Sequence, residues 1–402
     1  MTQQELRRSL TLPWLVFYGV GVTVGAGIFA LIGEVFAMSG DHIAYAFLLA
    51  GLVAGVTGYS YVLLASVYPK AAGEAVFVKH GMGTFAGRIA GYLVVAVAIT
   101  SAAVIALAFA RYVQSVIPVS ESVGLAAIVI LMTLVAMVGV RESVAFAAVI
   151  TILEVGTLLV IAAIGWPFLI QGGSLPELLL PPGDAAGWSA IAGGAFLAFF
   201  AFIGFEDIEN MAEETRHPER NVPYAIILTL VISVLLYILL ALVFASMPNR
   251  VALAGSKAPI AELFSSITGQ GGAVIAAMAA VAMINGILVQ IIMASRVVYG
   301  MAREQLLPAF LGHVHRDRQT PVIATLLVSA AILALGLLVP LRQLAELTSL
   351  AMLLVFAAVN LSLYLIGRSR AAAPRLRRWR LWGLLGMAIA LALVATQVLA
   401  QI

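Results

Sequence analysis

The segment Phe17–Phe29, FYGVGVTVGAGIF, decides the fold of this chain. It is apolar enough to lie inside a bilayer, yet four of its thirteen residues are glycines. Each glycine lowers the stability of a helix by about 1 kcal/mol relative to alanine. We therefore predict a membrane helix that is interrupted at Gly25-Ala26-Gly27, whereas close helix packing explains Gly19 and Gly21 equally well.

The composition indicates that the rest of the chain also lies in the lipid bilayer. Of its 402 residues, 63% are hydrophobic and 10% are charged, whereas a soluble domain carries about 25% charged residues. A soluble globular or disordered protein is therefore excluded. The sequence has no cysteine, which excludes disulfides, thiolate nucleophiles and cysteine-ligated metals. We expect no cofactor and no metal site.

Membrane-spanning segments follow from the length of the apolar runs. A spanning helix needs about 20 mostly apolar residues, and eleven such runs are found, numbered here as spans 1 to 11. The loops between them are too short to form a separate domain, so we predict a single, all-α, polytopic transmembrane domain. The spans lie at 12–38, 43–67, 85–113, 122–140, 143–170, 188–211, 222–247, 272–301, 321–339, 344–366 and 381–401.

The basic residues predict the orientation. If the N-terminus is cytoplasmic, 18 of the 22 lysines and arginines fall in inner loops, as the positive-inside rule requires. This asymmetry explains the net charge of +3 by membrane topology and not by nucleic-acid binding. We expect a protein of the plasma (inner) membrane, with the N-terminus inside, the C-terminus outside and the lipid bilayer as its partner.

A second break is predicted in span 6, at Ile203-Gly204-Phe205, because apolar character ends abruptly there. The two breaks are five spans apart, and an odd offset makes the second set of helices enter from the opposite side. This spacing predicts an inverted repeat of 12–170 (spans 1–5) and 188–366 (spans 6–10), with span 11 (381–401) extra. Backbone N–H and C=O groups freed at the breaks suit the two charges of a zwitterion.

Four separated motifs resemble those of the amino acid–polyamine–organocation (APC) permeases. They are Gly25–Phe29, Phe199–Glu206, the pair Glu213-Glu214 followed by Pro218 and Pro223, and Ser295–Glu304. The resemblance implies the LeuT-type 5+5 inverted-repeat fold, alternating access, and an amino acid held between spans 1, 3, 6, 8 and 10.

The resemblance also implies where the substrate binds. Its carboxylate would meet the N–H groups of Ala26 and Gly27, its ammonium would meet the carbonyls near Phe200 and Ile203, and aromatic residues of span 6 would cover its side chain. Ser101 and Asn285 are polar candidates in spans 3 and 8, although helix–helix hydrogen bonds explain them as well. The candidate substrate-binding residues are Gly25, Ala26, Gly27, Ser101, Phe200, Phe202, Ile203, Gly204, Phe205 and Asn285.

Two acidic residues lie inside the spans, where a charged side chain is costly and usually has a function. Glu154 stands in span 5, where many APC permeases carry a lysine. A proton carrier, a ligand of Na⁺ and a protonated packing residue are the three interpretations. Glu206 follows the break in span 6, where it is either a gating residue or the cap of the second half-helix.

The sequence as a whole predicts a secondary active amino acid transporter with proton-coupled uptake. Amino acid exchange, Na⁺-coupled symport and, more remotely, polyamine transport remain open. The chain has no Walker A pattern, His-Glu-x-x-His or Gly-x-Ser-x-Gly motif, which argues against an ATPase or an intramembrane enzyme. The apolar candidates favour a substrate with a neutral side chain.

Overall fold

A computed structural model describes residues 10–68, 73–138, 144–171, 175–303, 307–315, 318 and 320–400, with the backbone alone at 144–147, 210, 213 and 400. Within these ranges the chain is helical, apart from loops and one isolated bridge. The bridge pairs Leu10 with Thr215, and it ties the start of span 1 to the end of span 6.

The long helices overlap the predicted spans, and several short helices lie in the connections between them. The α-helices are Leu12–Thr23, Ala26–Ser39, Ile43–Ala65, Gly73–Met82, Thr84–Gln114, Glu121–Val138, Val144–Gln171, Leu175–Leu178, Ala185–Ala198, Pro218–Ser246, Arg250–Ala254, Pro259–Thr268, Ala273–Arg303, Val322–Leu338, Leu341–Arg368 and Pro374–Ala400. The 3₁₀ helices are Gly40–His42, Phe199–Phe202, Phe205–Glu214 and Ala309–Gly312.

Nine helical segments within the described ranges are long and apolar enough to cross a membrane. One of them, 26–65, holds parts of two predicted spans, because the 3₁₀ turn Gly40–His42 joins span 1 to span 2. The shorter apolar helices Leu12–Thr23 and Val322–Leu338 correspond to the start of span 1 and to span 9. The chain is therefore an all-helical, multi-pass membrane protein.

Span 1 is interrupted close to the predicted place. Half-helix 1a (Leu12–Thr23) ends at Thr23, and half-helix 1b begins at Ala26 and continues to Ser39. The interruption lies at Val24 and Gly25, whereas the prediction placed it at Gly25-Ala26-Gly27. Gly25 has φ −59° and ψ −136°, a conformation outside the helical region that a residue without Cβ adopts most easily.

Span 6 is interrupted at Ile203 and Gly204. Half-helix 6a is the α-helix Ala185–Ala198 with its 3₁₀ extension Phe199–Phe202, and half-helix 6b is Phe205–Glu214. Gly204 has φ +124°, which side chains with a Cβ rarely adopt. Half-helix 6b is wound as a 3₁₀ helix, so its side chains project in directions that an α-helical reading of the sequence does not give.

The two interrupted spans lie against each other. A Cβ added at Gly27 would be 2.7 Å from Ala201 Cα, and one added at Gly204 would be 3.0 Å from the carbonyl oxygen of Val22. Spans 5 and 7 pack against half-helix 1a, and span 3 packs against spans 8 and 10. Small residues thus bring both breaks to one place in the interior of the bundle.

Candidate functional site

A cavity of about 60 Å³ lies where the two breaks meet. Its walls come from spans 1, 3, 5, 6 and 8. Eight predicted site residues line it: Gly25, Ala26, Gly27, Ser101, Glu154, Phe200, Ile203 and Asn285. Eight residues that sequence reasoning did not select complete the wall: Gly21, Val22, Thr23, Ile105, Ala282, Gly286, Val289 and Gln290.

Half-helix 1b presents its N-terminus to this cavity. The first N–H groups of a helix have no partner within the helix, and no side chain caps this one at Gly25. Ala26 and Gly27 occupy its first two positions and line the cavity. The N–H groups and the positive end of the helix dipole therefore offer a place for an anionic group.

The 3₁₀ extension of half-helix 6a brings carbonyl groups to the same place. Phe200 and Ile203 line the cavity, and Ile203 N donates a hydrogen bond to Phe200 O at 3.2 Å. Beyond Ile203 the helical hydrogen-bond ladder stops, because Gly204 turns the chain. Carbonyl oxygens at such an end suit a group that donates hydrogen bonds, such as an ammonium.

Tyr237 of span 7 joins the two breaks, and sequence reasoning did not select it. Its hydroxyl oxygen lies 2.8 Å from Thr23 O and 2.8 Å from Ala201 O, and the side chain is fully buried. A phenol has one hydrogen to donate, so it satisfies one of these two carbonyls at a time or shares its hydrogen between them. The sequence shows a tyrosine within an apolar span but not which helices it faces.

Glu154 of span 5 faces the break in span 1. The side chain is 4% exposed, and its Oε1 is 3.9 Å from the position of a Cβ on Gly25. Among the described residues, Oε2 has no hydrogen-bond partner, and none of the ion pairs found there includes Glu154. An unpaired charge at this depth is costly, and Glu154 lines the cavity without an ion-pair partner among the described residues.

Span 8 supplies the opposite wall. Asn285, Gly286 and Gln290 line the cavity there, and Asn285 Oδ1 and Gln290 Oε1 have no hydrogen-bond partner among the described residues. A Cβ on Gly286 would be 3.3 Å from Ile105 Cδ1 of span 3, so span 8 approaches span 3 closely at this point. The wall is mostly apolar, with two amide groups available to a ligand.

Four predicted residues of span 6 lie away from the cavity. Phe202 packs edge-on against Tyr237 with ring centroids 5.1 Å apart, and Phe205 packs against the rings of Tyr61 and Phe356 at 5.8 and 5.4 Å. Gly204 contacts Val22 on the other broken span. These aromatic rings lie in the core because Phe202, two residues after Phe200, projects from a different side of the helix, and Phe205 lies beyond the turn at Gly204.

Glu206 is the fourth predicted residue of span 6 that lies away from the cavity, and it caps half-helix 6b. Its Oε2 accepts a hydrogen bond from Gly204 N at 2.9 Å, which is one of the two interpretations made from the sequence. The side chain is 6% exposed, and Glu209, which is 1% exposed, has no hydrogen-bond partner on either carboxylate oxygen within the part of the chain that the structure describes. Glu206 therefore lies next to the break but does not reach the cavity.

A third acidic side chain approaches this end of span 6 from the helix Gly73–Met82. The hydroxyl of Tyr61 donates a hydrogen bond to Glu74 Oε1 at 3.3 Å. Burial raises the pKa of Glu74 above its usual range, and hydrogen bonds from its own backbone region and from Tyr61 oppose the shift only in part. Two buried acids, Glu206 and Glu209, and the half-buried Glu74 thus gather at the end of the bundle that also carries the bridge between Leu10 and Thr215.

Comparison with known proteins assigns the chain to one protein family. Residues 10–401 match the family described as amino acid permease. An uncharacterised transporter of Mycobacterium tuberculosis is 32% identical over 376 residues, 92% of this chain and 83% of that protein. A branched-chain amino acid permease of Bacillus subtilis is 26% identical, covering 93% and 84%. A vacuolar cationic amino acid transporter of Arabidopsis thaliana is 29% identical, covering 90% and 60%.

Proposed function

The chain belongs to the amino acid permease family, and we propose that it is a secondary active transporter that takes up amino acids together with protons. The observation that carries this proposal is the cavity between two interrupted helices, with an unpaired carboxyl group in its wall. The breaks in spans 1 and 6 support an inverted repeat of spans 1–5 and 6–10. The repeat allows the cavity to open alternately to the two sides of the plasma membrane.

The substrate binds as a zwitterion across the two breaks. Its carboxylate accepts hydrogen bonds from the N–H groups of Ala26 and Gly27. Its ammonium donates to carbonyls of half-helix 6a near Phe200 and Ile203. Thr23 lines the cavity, and its carbonyl shares the single hydrogen of Tyr237 with Ala201 O, so Thr23 O is a further acceptor for the ammonium.

The side chain of the substrate lies between spans 3, 6 and 8. Ile105, Phe200 and Val289 line this part of the cavity, and their apolar surfaces favour a neutral side chain. The relatives are named for both branched-chain and cationic amino acids, so a cationic amino acid is the second candidate. Asn285 and Gln290, with unpartnered amide oxygens, are the groups that would receive its additional donors.

Glu154 couples transport to the proton. While the cavity is closed, the carboxyl group is neutral, because its charged form would be buried without a partner. When the cavity opens to the outside, the group takes up a proton from that side; when the cavity opens to the cytoplasm, the group ionises and releases the proton there. Na⁺ bound at Glu154 and obligate amino acid exchange are the alternatives.

Uptake into proteoliposomes tests this function. We expect at least one labelled amino acid from a panel of neutral, acidic and basic amino acids and polyamines to enter faster with an inward proton gradient in sodium-free buffer. Uptake only into vesicles preloaded with amino acid would establish an exchanger. A strict requirement for sodium would replace the proton with Na⁺, and uptake of polyamines alone would overturn the substrate class.

A further inference from the structure

The connection between spans 10 and 11 carries an uncompensated positive charge. Six arginines fall within thirteen residues, and all six are exposed. The last 56 residues of the sequence contain no aspartate or glutamate, and the ion pairs of the described ranges involve none of the six. Such a density of charge attracts anions from outside the chain. The arginines are Arg368, Arg370, Arg375, Arg377, Arg378 and Arg380.

Aromatic residues fix the depth of this basic segment in the membrane. Tyr59 of span 2 packs against Trp379 and Trp382 with ring centroids 5.5 and 5.2 Å apart. The indole Nε1 of Trp382 donates to Val56 O at 2.8 Å. Tryptophan and tyrosine clusters of this kind lie at the boundary between hydrocarbon and headgroups. We therefore expect the neighbouring arginines to lie level with lipid phosphates.

One face of the helix Pro374–Ala400 combines charge with an exposed apolar stripe. Arg377, Leu381 and Leu385 follow each other at intervals of four residues and so share a face. Leu381 is 64% exposed and Leu385 is 47% exposed. Arg378 adjoins Arg377, and its guanidinium lies 5.9 Å from the centre of the Trp379 ring. This face presents guanidinium groups at one end and apolar side chains along the next two turns.

We propose that Arg377 and Arg378 bind the phosphate of an anionic phospholipid whose acyl chain lies along Leu381 and Leu385. The planar guanidinium group donates two parallel hydrogen bonds to phosphate, which an ammonium cannot do. The positive-inside rule needs only the charge of these residues. A lipid site also needs the guanidinium geometry and the apolar stripe beside it, and it does not depend on the transport activity.

Binding is measured on the full chain, purified in detergent and freed of lipid. Dioleoylphosphatidylglycerol, dioleoylphosphatidylcholine and inorganic phosphate are added separately, and bound molecules are counted by native mass spectrometry while thermal unfolding is followed. We expect discrete phosphatidylglycerol adducts and a raised unfolding midpoint with that lipid alone. An equal effect of phosphatidylcholine, or of inorganic phosphate, would overturn the proposal of an anionic-lipid site.

Matched substitutions locate the site. Arg377→Gln with Arg378→Gln should lower the affinity for phosphatidylglycerol at least about tenfold, which is the lower limit for losing a single charge-assisted hydrogen bond. The two lysine substitutions keep the charge and the topology, so we expect them to lower the affinity by a smaller factor. Arg216→Gln with Arg220→Gln is the control, because these arginines are also exposed and Arg220 also lies over a ring, that of Tyr224.

The proposal is wrong if the glutamine pair at 377 and 378 binds the lipid as tightly as the wild type, or if the control pair loses as much affinity. If the glutamine pair fails to insert into the membrane, the affinity for phosphatidylglycerol is measured on the lysine pair and on Leu381→Ser instead. Wild-type affinity in both of these variants would contradict the proposal equally.

Discussion

Substituting Gly27 by alanine tests the contact on which the two breaks depend. The added Cβ would be 2.7 Å from Ala201 Cα and 3.2 Å from Ala201 Cβ, whereas ordinary contacts begin at 3.4 Å. Half-helix 1b and half-helix 6a must therefore separate by about 0.7 Å before the methyl group fits. Both half-helices line the cavity, so this separation changes the distance between the proposed carboxylate and ammonium sites.

The expected loss is larger in binding than in stability. Overpacking a core costs about 1 to 3 kcal/mol, and alanine recovers about 1 kcal/mol of helix propensity, so Gly27→Ala should fold. A displacement of this size stretches a hydrogen bond from a typical 2.9 Å beyond its useful range. Losing one hydrogen bond to a charged group costs about 1.5 to 3 kcal/mol. We therefore expect the apparent affinity for the substrate to fall roughly 10- to 150-fold.

Concentration-dependent uptake into proteoliposomes measures this affinity, and thermal unfolding in detergent measures the stability of the same preparation. Gly156→Ala is the matched control, because it is a glycine of span 5, two residues from Glu154, where a Cβ meets nothing within 4 Å. We expect the control to transport like the wild type. A folded Gly27→Ala protein with unchanged affinity would refute the reasoning, as would an equal loss in Gly156→Ala.

The remaining predictions concern the buried Tyr237 and the half-buried Glu74. Tyr237→Phe leaves Thr23 O and Ala201 O without their shared donor, and we expect both a lower unfolding midpoint and a raised KM for uptake. Tyr112→Phe, which removes the hydroxyl that donates to Phe29 O, should lower the midpoint without raising KM, and equal KM changes would show that Tyr237 has no special role. Glu74→Gln tests the carboxyl group whose pKa burial raises. The charged form is disfavoured in the folded protein, so the wild type loses stability as pH rises above about 4.3, the pKa of an unfolded glutamate. The unfolding midpoint of Glu74→Gln should match the wild type near that pH and exceed it at pH 8, and a difference independent of pH would contradict this assignment.

The breaks could be predicted from the sequence because glycine destabilises a helix locally, whatever the helix packs against. Clustered glycines weaken a helix wherever it packs, and the loss of apolar character after Gly204 is visible without any tertiary information. Gly25, Ala26, Phe200 and Ile203 were accordingly predicted, and the structure brings them to one cavity.

Side-chain directions were less predictable because they depend on the winding of the helix. Phe200, Phe202 and Phe205 were all candidates, with Phe200 favoured, whereas the structure packs Phe202 and Phe205 against aromatic side chains of the core. Tyr237 could not be found in the sequence either. Its role depends on two carbonyls from helices that are distant along the chain.

The coupling of proton movement to Glu154 is the central claim, and substrate-driven proton flux tests it most directly. Proteoliposomes containing a pH-sensitive dye are given substrate without an imposed gradient. We expect the wild type to acidify the lumen and Glu154→Gln to exchange labelled substrate without acidification. Thr157→Val is the control, because Thr157 is also buried in span 5 but hydrogen-bonds to Leu153 O. Acidification by Glu154→Gln at the wild-type rate would contradict the account.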